Sequence, residues 1–264
     1  MTRIGDVFRM LDRPGFIAYL VAGYPDRNGF LTAAQAVIEA GADILEIGMP
    51  FSDPVADGPT IQRAHTRALE VGMSVDGFFD SVREVRQFSE SPILLMVYCN
   101  TVYRRGVERF YREAKDAGAD GVLIVDMPPE EGERAVHAAR EYGLDQIFIV
   151  APSTSDQRLG EVLKSASGFV YLASLLGVTG ARERLSDEAS RLISRVRPRT
   201  RLPLAVGFGI SRPEHAAALR DAGADGVIVG SALVGMVEKH AQDPEQMTKE
   251  IRKFVAGMRK ALER

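Results

Sequence analysis

The stretch Glu39-Ala40-Gly41-Ala42-Asp43-Ile44-Leu45-Glu46-Ile47 has two echoes further along the chain. They are Asp116-Ala117-Gly118-Ala119-Asp120-Gly121-Val122-Leu123-Ile124-Val125 and Asp221-Ala222-Gly223-Ala224-Asp225-Gly226-Val227-Ile228-Val229-Gly230. In each copy the end of a helical pattern meets an apolar run. The glycine supplies the left-handed turn that closes a helix. The aspartate suits the tight turn before a strand. Three copies of one helix-to-strand joint imply a repeated unit, and strands alternating with helices imply a parallel sheet.

Working outward, further apolar runs complete a series near residues 16–22, 43–48, 93–98, 121–126, 146–150, 168–173, 203–207 and 226–230. Amphipathic patterns separate most of them, at 28–40, 107–117, 130–141, 157–165, 187–196 and 212–221. Eight strands in this length fit an α/β protein of the (β/α)8 barrel type. An open doubly wound sheet is the alternative, but no Gly-x-Gly-x-x-Gly follows the first strand. Residues 2–12 carry Ile4, Val7, Phe8 and Leu11 at helical spacing before Pro14-Gly15, which predicts a short leading helix. Met247, Ile251, Phe254 and Met258 predict an extra C-terminal helix over Pro244–Leu262. With no linker, charge block or low-complexity segment, residues 1–264 read as one domain.

Glu46 lies inside an apolar run that reads as a buried strand. A buried carboxylate is costly unless it is paired or protonated. The run leads into Met49-Pro50-Phe51-Ser52-Asp53-Pro54-Val55-Ala56-Asp57-Gly58-Pro59, a loop of the kind that carries function on a rigid scaffold. Glu46 and Asp57 are therefore expected to converge on one cavity. The bland alternative pairs Glu46 with a core arginine and makes Asp57 the cap of a helix from Pro59. In a barrel of this type the loops after the strands line the active site. Leu176-Gly177-Val178-Thr179-Gly180-Ala181-Arg182-Glu183-Arg184, after strand six, suits a mobile lid. Gly207-Phe208-Gly209-Ile210-Ser211 and Gly230-Ser231-Ala232, after strands seven and eight, suit a phosphate held by backbone N–H groups and a helix N-terminus. Simple turn chemistry is the alternative there. Tyr171 could orient Glu46, touch a substrate or serve as core. Asp126 could contact a substrate or cap the next helix.

Bulk properties narrow the chemistry. The net charge of −3 favours neither nucleic acid nor an anionic membrane surface. No apolar run approaches the ~20 residues needed to span a bilayer, and the start does not have the form of a signal peptide. The lone Cys99 permits no disulfide within the chain and reads as a buried filler. A cytoplasmic protein is expected. The six lysines avoid the strand ends, which argues against a Schiff-base aldolase. His65, His137, His215 and His240 sit in helical or tail segments without paired metal spacing, which argues against a metal-assisted one. Acid–base chemistry by carboxylates on a phosphorylated small molecule remains.

Glu46 through Gln62 closely resembles the signature of the tryptophan synthase alpha chain family. Gly177-Val178-Thr179-Gly180-Ala181-Arg182 resembles its lid loop, and Gly207–Ser211 with Gly230–Ala232 resemble its phosphate loops. Tyr98-Cys99-Asn100 and Asp126-Met127-Pro128 also fit, and the resemblance runs from about residue 14 to about 237. Thr101, where the family usually has proline, and Met49, where Val or Ile is commoner, depart from it.

The resemblance implies retro-aldol cleavage of indole-3-glycerol phosphate to indole and glyceraldehyde 3-phosphate, with Glu46 and Asp57 as the catalytic carboxylates. It makes Tyr171 an active-site tyrosine. Tyr19, Ile61, Met96, Tyr98 and Leu123 match positions that wall the indole. Gly180, Phe208, Gly209, Gly230 and Ser231 match the phosphate site, with Thr179 on the lid. It also implies a pyridoxal-phosphate beta chain as partner in an alpha2-beta2 assembly. The Pro54 loop and Thr179 lid would be its switching elements, and no cofactor is expected in this chain. The competing expectations are a stand-alone lyase of the same fold, a non-catalytic ligand-sensing subunit, and a phosphosugar isomerase.

Overall fold

Eight parallel strands close on themselves in chain order in the computed structural model, which describes residues 2–173, 181–207 and 209–263, with backbone alone for 181–186. They are β1 (Gly15–Val21), β2 (Ile44–Gly48), β3 (Ile93–Val97) and β4 (Gly121–Ile124). The circuit continues through β5 (Asp145–Val150), β6 (Val170–Ala173), β7 (Leu204–Gly207) and β8 (Gly226–Val229), which returns to pair with β1. The (β/α)8 expectation holds.

The first helices are α1 (Arg3–Met10), α2 (Arg27–Glu39), α3 (Pro59–Glu70) and α4 (Val75–Phe88). Next come α5 (Cys99–Arg105), α6 (Val107–Ala117), α7 (Glu133–Tyr142) and α8 (Asp156–Ser165). The last are α9 (Ala181–Val196), α10 (Pro213–Asp221), α11 (Ser231–Lys239) and α12 (Pro244–Leu262). The leading and C-terminal helices stand where the spacing placed them. Two helix starts differ from expectation by several residues. Helix α9 begins inside the stretch read as a loop, since Ala181-Arg182-Glu183-Arg184-Leu185 are good helix formers. A 3-10 turn at Pro129–Glu131 delays α7, as a proline at its start allows.

The Gly-Ala-Asp joints do more than turn the chain. Asp43 accepts the Phe16 N–H at 2.7 Å and donates its own N–H to the Phe16 carbonyl at 2.9 Å. Asp120 does the same to Ile93, at 2.9 and 2.8 Å, and Asp225 to Leu204, at 2.7 and 2.9 Å. Each aspartate therefore clamps the strand it opens to the strand before it. Each clamp carries an arginine: Arg13 on Asp43 and Arg86 on Asp120, both at 2.8 Å, and Arg197 on Asp225 at 2.5 Å. The remaining even-numbered strand uses a serine in the same place. Ser167 accepts the Gln146 N–H and donates to the Gln146 carbonyl, both at 2.9 Å. A backbone N–H at a strand start finds no acceptor within its own strand, so the side chain completes the ladder.

Replacing Asp120 by Ala strands a half-buried Arg86 guanidinium and the buried Ile93 N–H. A loss of about 3 kcal/mol is expected. It is read from the shift in urea midpoint at constant slope, and an unmoved midpoint would reject the clamp as a stabilising device.

Helix α1 closes the lower end of the barrel. Ile4 is fully buried among Ile17, Ile44, Leu94, Leu123, Ile147, Phe169, Ala205 and Ile228. Thr2 donates to Asp145, and Arg3 reaches Asp120 at 3.2 Å. A side chain at Gly121 would meet Ile4 and the Asp145 carbonyl, and one at Gly226 would crowd Ala205 and Phe8. The second and third copies of the joint thus carry glycine where the first has Ile44. With the bottom plugged by apolar side chains, the open end lies at the carboxyl ends of the strands.

Candidate active site

Alternation along the strands builds the open end. Ile44 faces inward in the lower layer, so Glu46, two residues on, faces inward above it. Tyr19 on β1 is its register partner. Glu46 is fully buried, and neither carboxyl oxygen has a hydrogen-bond partner among the described residues. Among the described residues no arginine pairs with it. Burial, and then the negative charge of Asp57, push its pKa from the ordinary 4.5 up to about 8. Glu46 is thus held protonated at neutral pH and stays within reach of ionisation.

Asp57 comes from the loop between β2 and α3. It is not the helix cap, a position taken by Gly58 without a side-chain bond. Its Oδ2 accepts the Tyr98 hydroxyl at 2.7 Å. The Tyr98 oxygen in turn accepts the Ala56 N–H at 3.2 Å, and its ring stacks on Phe51 with centroids 4.7 Å apart. Burial and the bond to Asp57 raise the Tyr98 pKa strongly, which keeps the hydroxyl a donor. His65 Nε2 lies 3.5 Å from the same Asp57 oxygen and 3.4 Å from the Tyr19 hydroxyl.

Tyr19 and Tyr171 flank Glu46 from β1 and β6. Each hydroxyl sits over the glycine that ends the next strand, Gly48 and Gly207, where a methyl group would overlap it. Burial raises both phenol pKa values well above the usual range.

These groups surround a cavity of about 200 Å³ lined by Tyr19, Glu46, Asp57, Gly58, Ile61, Met96, Tyr171, Gly209, Ile228, Gly230 and Ser231. Ile61, Met96 and Ile228 form an apolar wall. Gly209 has φ +73°, a conformation that favours glycine. Helix α11 starts at Ser231 with no side-chain cap, and its first-turn N–H groups have no carbonyl in their own helix to bond. They can receive an anion.

The tryptophan synthase alpha chain family profile matches residues 8–263. The tryptophan synthase alpha chain of Methanoregula boonei is 52% identical, covering 100% of this chain and 99% of that one. That of Methanothermobacter thermautotrophicus is 49% identical, covering 97% and 95%. A solved tryptophan synthase from Mycobacterium tuberculosis superposes with a TM-score of 0.89 at 37% identity, over 99% and 98% of the two chains. A tryptophan synthase complex from Pyrococcus furiosus gives 0.86 at 40%, over 95% and 100%. The chain belongs to the tryptophan synthase alpha chain family.

The structure of this family member brings together nine of the expected site residues around one cavity: Glu46, Asp57, Tyr171, Tyr19, Ile61, Met96, Gly209, Gly230 and Ser231. Tyr98 and Leu123 are placed differently. Tyr98 holds Asp57 instead of lining the cavity, because its side chain leaves the end of β3 toward the Pro54 loop. Leu123 is fully buried in the barrel interior with Ile4 and Ile147. Thr179, Gly180 and Phe208 lie outside the described residues. Asp126 accepts the Cys99 N–H at 2.7 Å, so it caps α5, behind it in the chain, and not the helix ahead. The Cys99 thiol is pushed up to about 11 by burial, in keeping with a filler. Among the described residues no cluster of His, Cys, Asp and Glu could hold a metal ion, and no helix is long and apolar enough to cross a membrane.

Sequence reasoning missed Gly58, Ile228 and His65. Ile228 stands two residues before Gly230 on β8, so alternation could have found it. His65 stands four residues after Ile61 on α3, so the two share a helix face.

Proposed function

We propose that this chain cleaves indole-3-glycerol phosphate by a retro-aldol reaction, releasing indole and glyceraldehyde 3-phosphate. One observation carries the reading: a buried Glu46, with no hydrogen-bond partner among the described residues, and a hydrogen-bonded Asp57 share an apolar cavity that ends in helix N–H groups. The phosphate occupies the recess of Gly209, Gly230 and Ser231. The indole ring lies against Ile61, Met96 and Ile228, with its N–H toward Asp57.

Glu46 gives its proton to ring carbon 3, which makes an indolenine-like cation. Asp57 stabilises that cation through the ring N–H. Glu46, now a carboxylate, takes the proton of the glycerol hydroxyl next to the ring. The carbon–carbon bond then breaks. Its electron pair returns to the ring, and the hydroxyl carbon becomes the aldehyde. A carboxyl whose pKa sits near 8 can serve as acid and base in one cycle. Tyr19 and Tyr171 shape the walls around it.

We place the chain in the cytoplasm as one barrel domain, with a pyridoxal-phosphate beta chain as partner in an alpha2-beta2 assembly. The cofactor belongs to that partner and enters none of the steps above. Solved relatives are described as a tryptophan synthase complex and an a2b2 complex, which supports this partner.

The test is indole release from indole-3-glycerol phosphate by the purified chain, with and without the beta chain. Slow turnover that accelerates with the partner is expected. Fast turnover unchanged by it would point to a stand-alone lyase, and none in either setting would reject the reading.

A further inference from the structure

We propose that His65 is a positioning residue for Asp57, fixing which carboxylate oxygen meets the substrate. The inference rests on the reading of Asp57 as the group that receives the ring N–H. The imidazole is buried at 2% exposure, on the face of α3 that also carries Ile61 into the cavity. Its Nδ1 accepts the Phe51 N–H at 3.0 Å. That bond sets the tautomer, because a nitrogen that accepts carries no proton, so the ring proton sits on Nε2. Nε2 faces Asp57 Oδ2 at 3.5 Å and the Tyr19 hydroxyl at 3.4 Å.

The Tyr98 hydroxyl reaches the same oxygen from the other side, at 2.7 Å. Tyr98, at the end of β3, thus donates to Oδ2, and the His65 Nε2–H on α3 stands beside the same oxygen. Among the described residues no donor meets Oδ1, which is left to accept the ring N–H. At 3.5 Å the imidazole contact is long. Catalytic hydrogen bonds of this kind often shorten only when substrate is bound. The Phe51 N–H bond also ties the ring to the loop that delivers Asp57. The imidazole therefore touches both that loop and its carboxylate, and the donor toward the carboxylate is the part assigned the positioning role.

A satisfied core histidine would show the same burial, and two substitutions separate the roles. His65→Asn keeps an acceptor near the Nδ1 position for the Phe51 N–H and loses the donor toward Asp57. His65→Gln keeps a donor near the Nε2 position and loses the loop anchor. Steady-state kinetics of both full-length variants, with the beta chain present, supply the readout. His65→Asn is expected to lower kcat about tenfold with KM within about twofold, since it removes the N–H that stands beside the Asp57 carboxylate and would close on it when substrate is bound. His65→Gln is expected to stay within about threefold of wild-type kcat. If the Asn variant does not fold, His65→Phe, which fills the same space with neither bond, takes its place in the comparison. Wild-type kcat in the Asn variant, or equal losses in the Asn and Gln variants, overturns the positioning role while leaving the lyase reading intact. A wild-type chain that releases no indole with its partner present removes the lyase reading and this inference with it.

Discussion

Replacing Glu46 by Gln is expected to lower kcat for indole release by about a thousandfold, with KM changed by less than about threefold. Gln has the same shape and fills the same buried position on β2, so the cavity and the amide recess keep their form. What it loses is the proton. General acid–base groups contribute roughly a hundredfold to ten-thousandfold, and here one group is assigned both transfers. The wild-type pH profile carries the same signature. The acid form of Glu46 starts the cycle, so kcat is expected to fall as pH rises through about 8, and the Gln variant's residual rate should show no such limb. Wild-type-like turnover in Glu46→Gln would instead favour a non-catalytic sensing subunit.

Particular residues show how far the sequence could be read. The repeated joints named the barrel because helix ends and strand starts have local chemistry, a left-handed glycine and a turn-forming aspartate. The clamp to the preceding strand was not legible, because it joins residues far apart in sequence, Asp120 to Ile93 and Asp225 to Leu204. Ser167 performs the same task with no Gly-Ala-Asp to mark it. Glu46 was legible because a charge inside an apolar run is anomalous wherever the strand lies. His65 was not, because a histidine on an amphipathic helix is ordinary until the helix is turned so that its face meets Asp57. The role of Tyr98 was missed for a related reason. Past the last residue of β3 the two-residue alternation ends, so spacing no longer says where a side chain points. The apolar run at 168–173 begins before the strand does, because Gly168 at φ +73° is still in the turn.

The same buried acid predicts an unusual stability profile. In the unfolded chain Glu46 titrates near its ordinary 4.5, and in the folded chain near 8. Between these values the native state binds more protons than the unfolded state, so stability falls as pH rises. The favourable part is fully present below about pH 4.5. It is lost progressively up to about 8, where both states are ionised and the penalty is on the order of 5 kcal/mol. Gln cannot ionise and escapes this loss. Its amide would lack partners where the Glu46 oxygens lack them, which costs about 1–3 kcal/mol at any pH. The Glu46→Gln chain is therefore expected to be no more stable than wild type at pH 5 and about 2–4 kcal/mol more stable at pH 9. Urea unfolding of both chains at the two pH values measures the difference. Parallel behaviour of wild type and variant across that range would show that Glu46 ionises as freely in the fold as in water. That would also undo the account of its catalytic role, since the apolar surroundings that penalise its charge are what let one carboxyl both give and take a proton near neutral pH.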